Sequence, residues 1–162
     1  MKIAIGSDRC GFQYKFRLIE HMRSEGYAVT DVGTYEEVPS DSPYYASLVG
    51  RLVASGQCDF GVLICATGTG MQIAANKIDG VMCGIGYEDE VTKLMRAHND
   101  CNVIAFGQDY MEYTDVQRRF DIFVHTEFGE MNHHKYRVKQ IRSLELGETI
   151  ELQPIIDKKW CN

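Results

Sequence analysis

The chain is expected to fold as an α/β domain, with five parallel strands in one sheet and a layer of helices on each face. Three observations predict it. Short β-rich runs alternate with helix-period segments from residue 2 to about residue 146, the pattern whose right-handed crossovers make strands parallel. The run DFGVLICA, residues 59–66, is apolar almost without interruption, as a strand covered on both faces must be. A length of 162 residues with 44% hydrophobic side chains suffices for one domain with its own core, and no internal repeat or low-complexity segment breaks it.

KIAIGS (2–7) reads as the first strand. Residues 12–25 read as an amphipathic helix with Phe12, Phe16, Ile19 and Met22 on one face, ended by Gly26. YAVTDVG (27–33) is the second strand, residues 44–55 the second helix, and DFGVLICA the third strand, followed at once by a helix over 71–78. VMCGIGY (81–87), a helix over 88–97, NVIAFG (102–107) and a helix over 114–125 continue the alternation. A last helix over 133–146 carries Val138, Ile141 and Leu144 along one side. GETIELQPIIDKKWCN, residues 147–162, reads as a polar tail beyond a single domain of residues 1–146.

Charge and composition narrow the partners. A net charge of −6 without a basic cluster argues against a nucleic-acid or anionic-membrane surface and for a small-molecule ligand. The start, MKIAIGSDRCGF, does not read as a signal peptide, and no stretch reaches the roughly 18 apolar residues of a membrane span, so a cytoplasmic protein is expected. Six widely spaced cysteines without a CxxC pair point to reduced thiols rather than disulfides or a zinc site.

In an open parallel sheet, ligands gather beyond the carboxyl ends of the strands, where crossovers diverge to opposite faces. Residues 7–10, 65–70, 87–89 and 107–109 should reach that rim. Within LICATGTGMQIAANK (63–77), Cys65 stands at the mouth of a loop in which Gly68 and Gly70 let the backbone turn closely. The free N–H groups opening the next helix would hold an anion or a developing oxyanion there. They also favour a thiolate, which makes Cys65 a candidate base or nucleophile; the plain alternative is a buried strand-end cysteine beside a tight turn. Neither standard nucleotide loop fits: the Walker A string is absent, and Gly68-Thr69-Gly70-Met71-Gln72-Ile73 lacks the third glycine of the dinucleotide fingerprint.

MKIAIGSD-x-x-GF, GYAVTDVGTY, ASGQCDFGVLICATGTGMQIAANK, AHNDCNVIAFG and NHHKYRV, in this order and spacing, resemble the ribose-5-phosphate isomerase B and galactose-6-phosphate isomerase family over about residues 1–146. The resemblance implies an aldose–ketose isomerase of Rossmann-like fold that needs no cofactor or metal. It also implies a homodimer or dimer of dimers with each active site shared between two subunits. Cys65 would be the base that moves a proton between C1 and C2 through a cis-enediolate, Thr67 would assist proton movement on the oxygens, and the amides of Gly68, Thr69 and Gly70 would hold the oxyanion. Relatives without this cysteine use a glutamate six positions later, where this chain has Met71. His98, in AHND, matches the histidine implied to open the furanose ring, although a helix-end core histidine is the commoner reading. Asn99 and Asp8 match positions that hold sugar hydroxyls, and Asp8 also reads as the N-cap of the helix beginning near residue 12.

The chain departs from the family pattern at the substrate's phosphate end. Arg9 stands where a histidine is usual after Asp8. In NHHKYRV, His133 replaces the first arginine of the usual Gly-Arg-His-x-x-Arg-Val while Arg137 retains the second. Asp109 replaces an arginine, and Met82 stands where many relatives have one. A carboxylate beside a phosphate dianion is unfavourable without an intervening cation. Three readings follow: a sugar-phosphate isomerase whose phosphate site is rebuilt from Arg9, Arg137 and Lys135; the same chemistry on a free or acidic sugar; or a catalytically silent, ligand-binding subunit. Intact Cys65, Thr67 and His98 weigh against the third.

Overall fold

Strands β1 (Lys2–Ser7), β2 (Ala28–Asp31), β3 (Phe60–Cys65), β4 (Cys83–Ile85) and β5 (Val103–Gly107) form one all-parallel sheet in the order β2-β1-β3-β5-β4. The structure is a computed structural model that describes residues 1–129 and 131–152. Helices α1 (Phe12–Ser24), α2 (Ser42–Ala54), α3 (Thr69–Ala75), α4 (Asp89–Ala97), α5 (Tyr113–His125) and α6 (Asn132–Glu145) follow the expected alternation.

Strand alternation divides the core in two. Ile3, Ile5, Val62, Ile64, Ile104 and Phe106 face α1, α4 and α5, which contribute Leu18, Met22, Met95, Phe120 and Phe123. Ala4, Leu63, Cys65, Val103 and Ala105 face α2 and α3, which contribute Val49, Val53, Met71 and Ala75. Each buried Leu, Ile or Phe contributes on the order of 1.5–3 kcal/mol, so the two clusters supply most of the drive to fold. The register aligns Ser7 with Ile64 and Cys65 with Gly107, so β1, β3 and β5 end together at one rim.

Edge strand β4 is short, and side chains close its open side. Asn76 accepts from the Cys83 amide at 2.8 Å and donates to its carbonyl at 2.9 Å, while Gln72 Nε2 donates to the same carbonyl. The asparagine of the AANK motif thus pairs with β4 as a strand would, leaving little edge for another chain.

Three details differ from the sequence expectation. The buried face of α1 is Lys15, Leu18, Ile19 and Met22, whereas Phe16 is 45% exposed. Lys15 is tolerated inside because Nζ donates to both Asp31 carboxylate oxygens, at 2.7 and 2.8 Å, and to Thr34 O at 2.7 Å. Helix α3 starts at Thr69 rather than residue 71, because Gly68 takes φ +82° and turns the chain directly into the helix. Asp8 caps not α1 but the 3-10 turn Arg9–Gly11 ahead of it, its Oδ1 accepting from the Cys10 and Gly11 amides at 2.9 and 3.1 Å.

Helix α6 lies across the amino end of the sheet. His134 packs on His98, Val138 on the α5-side core, and Glu145 accepts from the Gly80 amide at 3.2 Å. The five cysteines among the described residues are unpaired thiols, and Cys161 lies outside them, as does most of the tail. No helix among the described residues is long and apolar enough to cross a membrane.

Candidate active site

Cys65 ends β3 at the carboxyl rim and is buried, at 5% exposure. The left-handed turn at Gly68 swings the chain back so that the Gly68 amide donates to Cys65 Sγ at 3.1 Å. An amide aimed at sulfur stabilises negative charge there more directly than the dipole of α3, which spans only seven residues. The Thr69 amide donates to Thr67 Oγ1 at 3.3 Å, and Thr67 is exposed. Two of the three amides assigned to an oxyanion therefore already have acceptors within the loop.

Strand β5 delivers the neighbouring wall. Gln108 and Asp109 donate backbone N–H groups to Cys65 O and Ala66 O at 2.9 and 3.1 Å, so residues 107–109 run alongside the sulfur loop. That approach requires Gly107: a Cβ there would stand 2.8 Å from the Thr67 carbonyl. On the other side, the turn after β1 carries Asp8 and Arg9, with the Arg9 amide donating to Ser40 Oγ at 3.2 Å. Burial pushes the Asp8 carboxyl above the ordinary carboxylate value. The Gly11 and Cys10 amides and the Arg9 charge pull it back, and the carboxylate of Asp109 pushes it up again. Among the described residues, neither Arg9 nor Asp109 makes an ion pair, so Arg9 acts on Asp8 through its charge and not through direct contact.

Cys65, Thr67, Gly68, Thr69, Gly70, Asp8, Arg9 and Asp109 thus share one rim, and four other candidates stand elsewhere. His98 caps the carboxyl end of α4, followed by exposed Asn99, just before the chain enters β5 at the sheet's amino end. His133 and Arg137 are on α6 at that same end. The five residues of β5, at about 3.3 Å each, put roughly 13 Å of sheet between the two groups within one chain. The sequence order does not reveal this, because a crossover helix carries whatever ends it back to the amino side.

The amino-end group holds a residue the sequence reading passed over. The His134 ring stacks on His98 with centroids 3.9 Å apart and meets His133 edge-on at 4.1 Å. It is 4% exposed, its Nδ1 has no partner among the described residues, and burial together with the charges of His98, His133 and Arg137 holds its pKa below the ordinary 6.5. The doubled histidine in NHHKYRV was the available signal. Met82, one of the departures from the family pattern, is a core side chain just ahead of β4 rather than a rim residue. A groove of about 940 Å³ between β2, α2 and residues 77–79 contains none of the candidate residues, so its size alone gives it no claim on the chemistry.

These positions belong to a known pattern. The chain matches the family described as Ribose/Galactose Isomerase over residues 3–141 and belongs to it. It is 38% identical over 144 residues to ribose-5-phosphate isomerase B of Escherichia coli (strain K12), covering 89% of this chain and 96% of that protein. Its fold superposes on ribose-5-phosphate isomerase B of Clostridium thermocellum with a TM-score of 0.89 at 34% identity, covering 91% of this chain and 99% of that one. It also superposes on the Mycoplasma genitalium enzyme with bound ribulose-5-phosphate, with a TM-score of 0.86 at 30% identity, covering 91% and 97%.

Proposed function

We propose that the chain interconverts an aldose and its 2-ketose within the sugar-phosphate class that its relatives' names describe, with Cys65 as the base. The observation that carries this reading is the Gly68 amide donating to Cys65 Sγ at 3.1 Å, at the mouth of a carboxyl-end loop. The Cys65 thiolate takes the proton from C2 of the open-chain aldose. The freed electron pair forms the C1–C2 double bond, and O1 takes the negative charge. The Thr67 hydroxyl passes the O2 proton to O1, and the thiol then returns its proton to C1, giving the ketose. Substrate oxygens would recruit the loop amides, which need only a small shift of acceptor.

His98 serves as the acid–base group that opens the ring, and Asn99, His133 and Arg137 bind the sugar. For these to meet Cys65, each site must draw them from a second copy of the chain, so a homodimer with shared sites is part of the reading. The division of the candidates between the two ends of one sheet supports it.

The test follows loss of the C2 proton by NMR in heavy water across pentoses, hexoses and their phosphates. Exchange is expected with at least one of these, abolished in Cys65→Ala and reduced by roughly two orders of magnitude or more in Cys65→Ser, whose hydroxyl is a far weaker base. Full activity in folded Cys65→Ala would reject Cys65 as the base.

A further inference from the structure

The rim beside the sulfur presents an unusual balance of charge for an enzyme expected to hold a phosphate. Asp8 and Asp109 flank it from two strands, since the turn after β1 carries one and the segment that hydrogen-bonds along Cys65 and Ala66 carries the other. Asp8 is spoken for by two backbone amides. Asp109 is exposed, and among the described residues its carboxylate meets no donor. Arg9 is the cation nearest in the chain, and its guanidinium makes no ion pair with either carboxylate among the described residues.

A carboxylate without an internal partner accepts hydrogen bonds from hydroxyl groups and repels anions. Hydroxyl donors are what an uncharged sugar carbon offers, and two negative charges are what a terminal phosphate offers near neutral pH. The effect of Asp109 on a bound sugar therefore changes sign with the group at the sugar's far end. Arg9 reaches the same rim, and in the shared site Arg137 of a second copy joins it; each can grip one anionic group through its planar fork, but together they must offset Asp8 and Asp109 before they contribute a net attraction.

We propose that Asp109 is a specificity-determining residue: standing beside the Cys65 loop, it binds sugar hydroxyls and penalises a terminal phosphate, so this chain prefers an aldose whose far end carries a hydroxyl or at most one negative charge. The proposal rests on the isomerase reading above, keeps its chemistry and moves the preferred substrate away from terminally phosphorylated sugars. A phosphorylated sugar remains a substrate in kind but gains little or nothing from its phosphate. The backbone bonds that hold residues 107–109 against residues 65–67 keep Asp109 at the rim, where its charge already acts on Asp8.

Ribose and ribose 5-phosphate differ only in the group in question, so they are the probes. Their kcat/KM values from C2-proton exchange, and their dissociation constants by calorimetry, are measured for the unaltered protein, Asp109→Asn and Asp109→Arg. Removing the charge is expected to raise the preference for ribose 5-phosphate over ribose by roughly tenfold, about 1.4 kcal/mol. Asp109→Arg raises it further, and Asp109→Asn weakens ribose itself. An unchanged preference in both folded variants overturns the proposal, as does failure of all three proteins to bind either sugar. If no sugar of the wider panel exchanges its C2 proton, the isomerase reading fails, and the calorimetric preference still decides the role of Asp109.

Discussion

Cys65 and Gly68 are three residues apart, yet only the left-handed turn at Gly68 lets an amide reach back to the sulfur, at 3.1 Å. Among the described residues, no other thiol accepts an amide N–H. Burial pushes Cys101 up to about 11 and Cys83 higher still, which keeps both as inert neutral thiols. Brief treatment of the native protein with iodoacetamide, followed by peptide mass spectrometry, should therefore leave Cys83 and Cys101 unmodified. Cys65 should be labelled slowly, through its small exposed area, and protected by substrate. Labelling of Cys83 ahead of Cys65 would contradict this. His134 makes a second prediction at this scale. Its pKa is held below 6.5 in the fold, chiefly by burial and then by His98, His133 and Arg137. The unfolded chain takes up the proton near 6.5, before the folded chain does. The stability tied to neutral His134 is thus present above about pH 6.5 and lost as pH falls through the lowered folded value. Melting temperature should fall between pH 7 and pH 5, and His134→Gln should flatten that slope; an identical slope in the variant would place the titration elsewhere.

At the scale of elements, the Lys15–Asp31 pair joins α1 to β2. Lys15 is fully buried and Asp31 is 18% exposed at its side chain, so the two substitutions should not be equivalent. Asp31→Ala leaves an ammonium group buried without its counter-charge and should cost about 3–5 kcal/mol by urea denaturation; Lys15→Met removes the charge itself and should cost less. Equal losses would mean that packing, not charge, dominates. This pair also shows where sequence reading fails. A helical pattern assigns lysine to solvent, and only the neighbouring strand, 16 residues later, supplies the carboxylate that reverses the assignment. Strand β3, by contrast, was legible from its unbroken apolar run, because burial on both faces leaves no position for a polar residue. The Cys65 loop was legible too, since its glycines, threonines and cysteine lie within six consecutive residues. Asn76 was visible only as a letter in a motif. Its pairing with Cys83 depends on β4 lying at the edge of the sheet, which the strand order decides.

For the whole molecule, the separation between the Cys65 rim and the His98–His134 end is the feature of the candidate site that no local pattern announces. The residues were recognisable, but their distribution between the two ends follows from five parallel strands that all run the same way. A mixing experiment tests the shared-site reading. Cys65→Ala and Arg137→Ala chains, each inactive alone, should regain roughly a quarter of normal activity when unfolded together and refolded in equal amounts, because half of the dimers are mixed and each has one intact site. No recovery in dimers shown by mass spectrometry to be mixed would overturn sharing. The same separation bears on dilution. When a reaction centre needs one end from each of two molecules, an isolated chain is only half a catalyst, so rate per milligram is not a constant of the protein. On dilution through the dissociation range, velocity should drop with the square of the chain concentration, with a lag after rapid dilution that measures the lifetime of the pair. Substrate bridging the two chains should lengthen that lag.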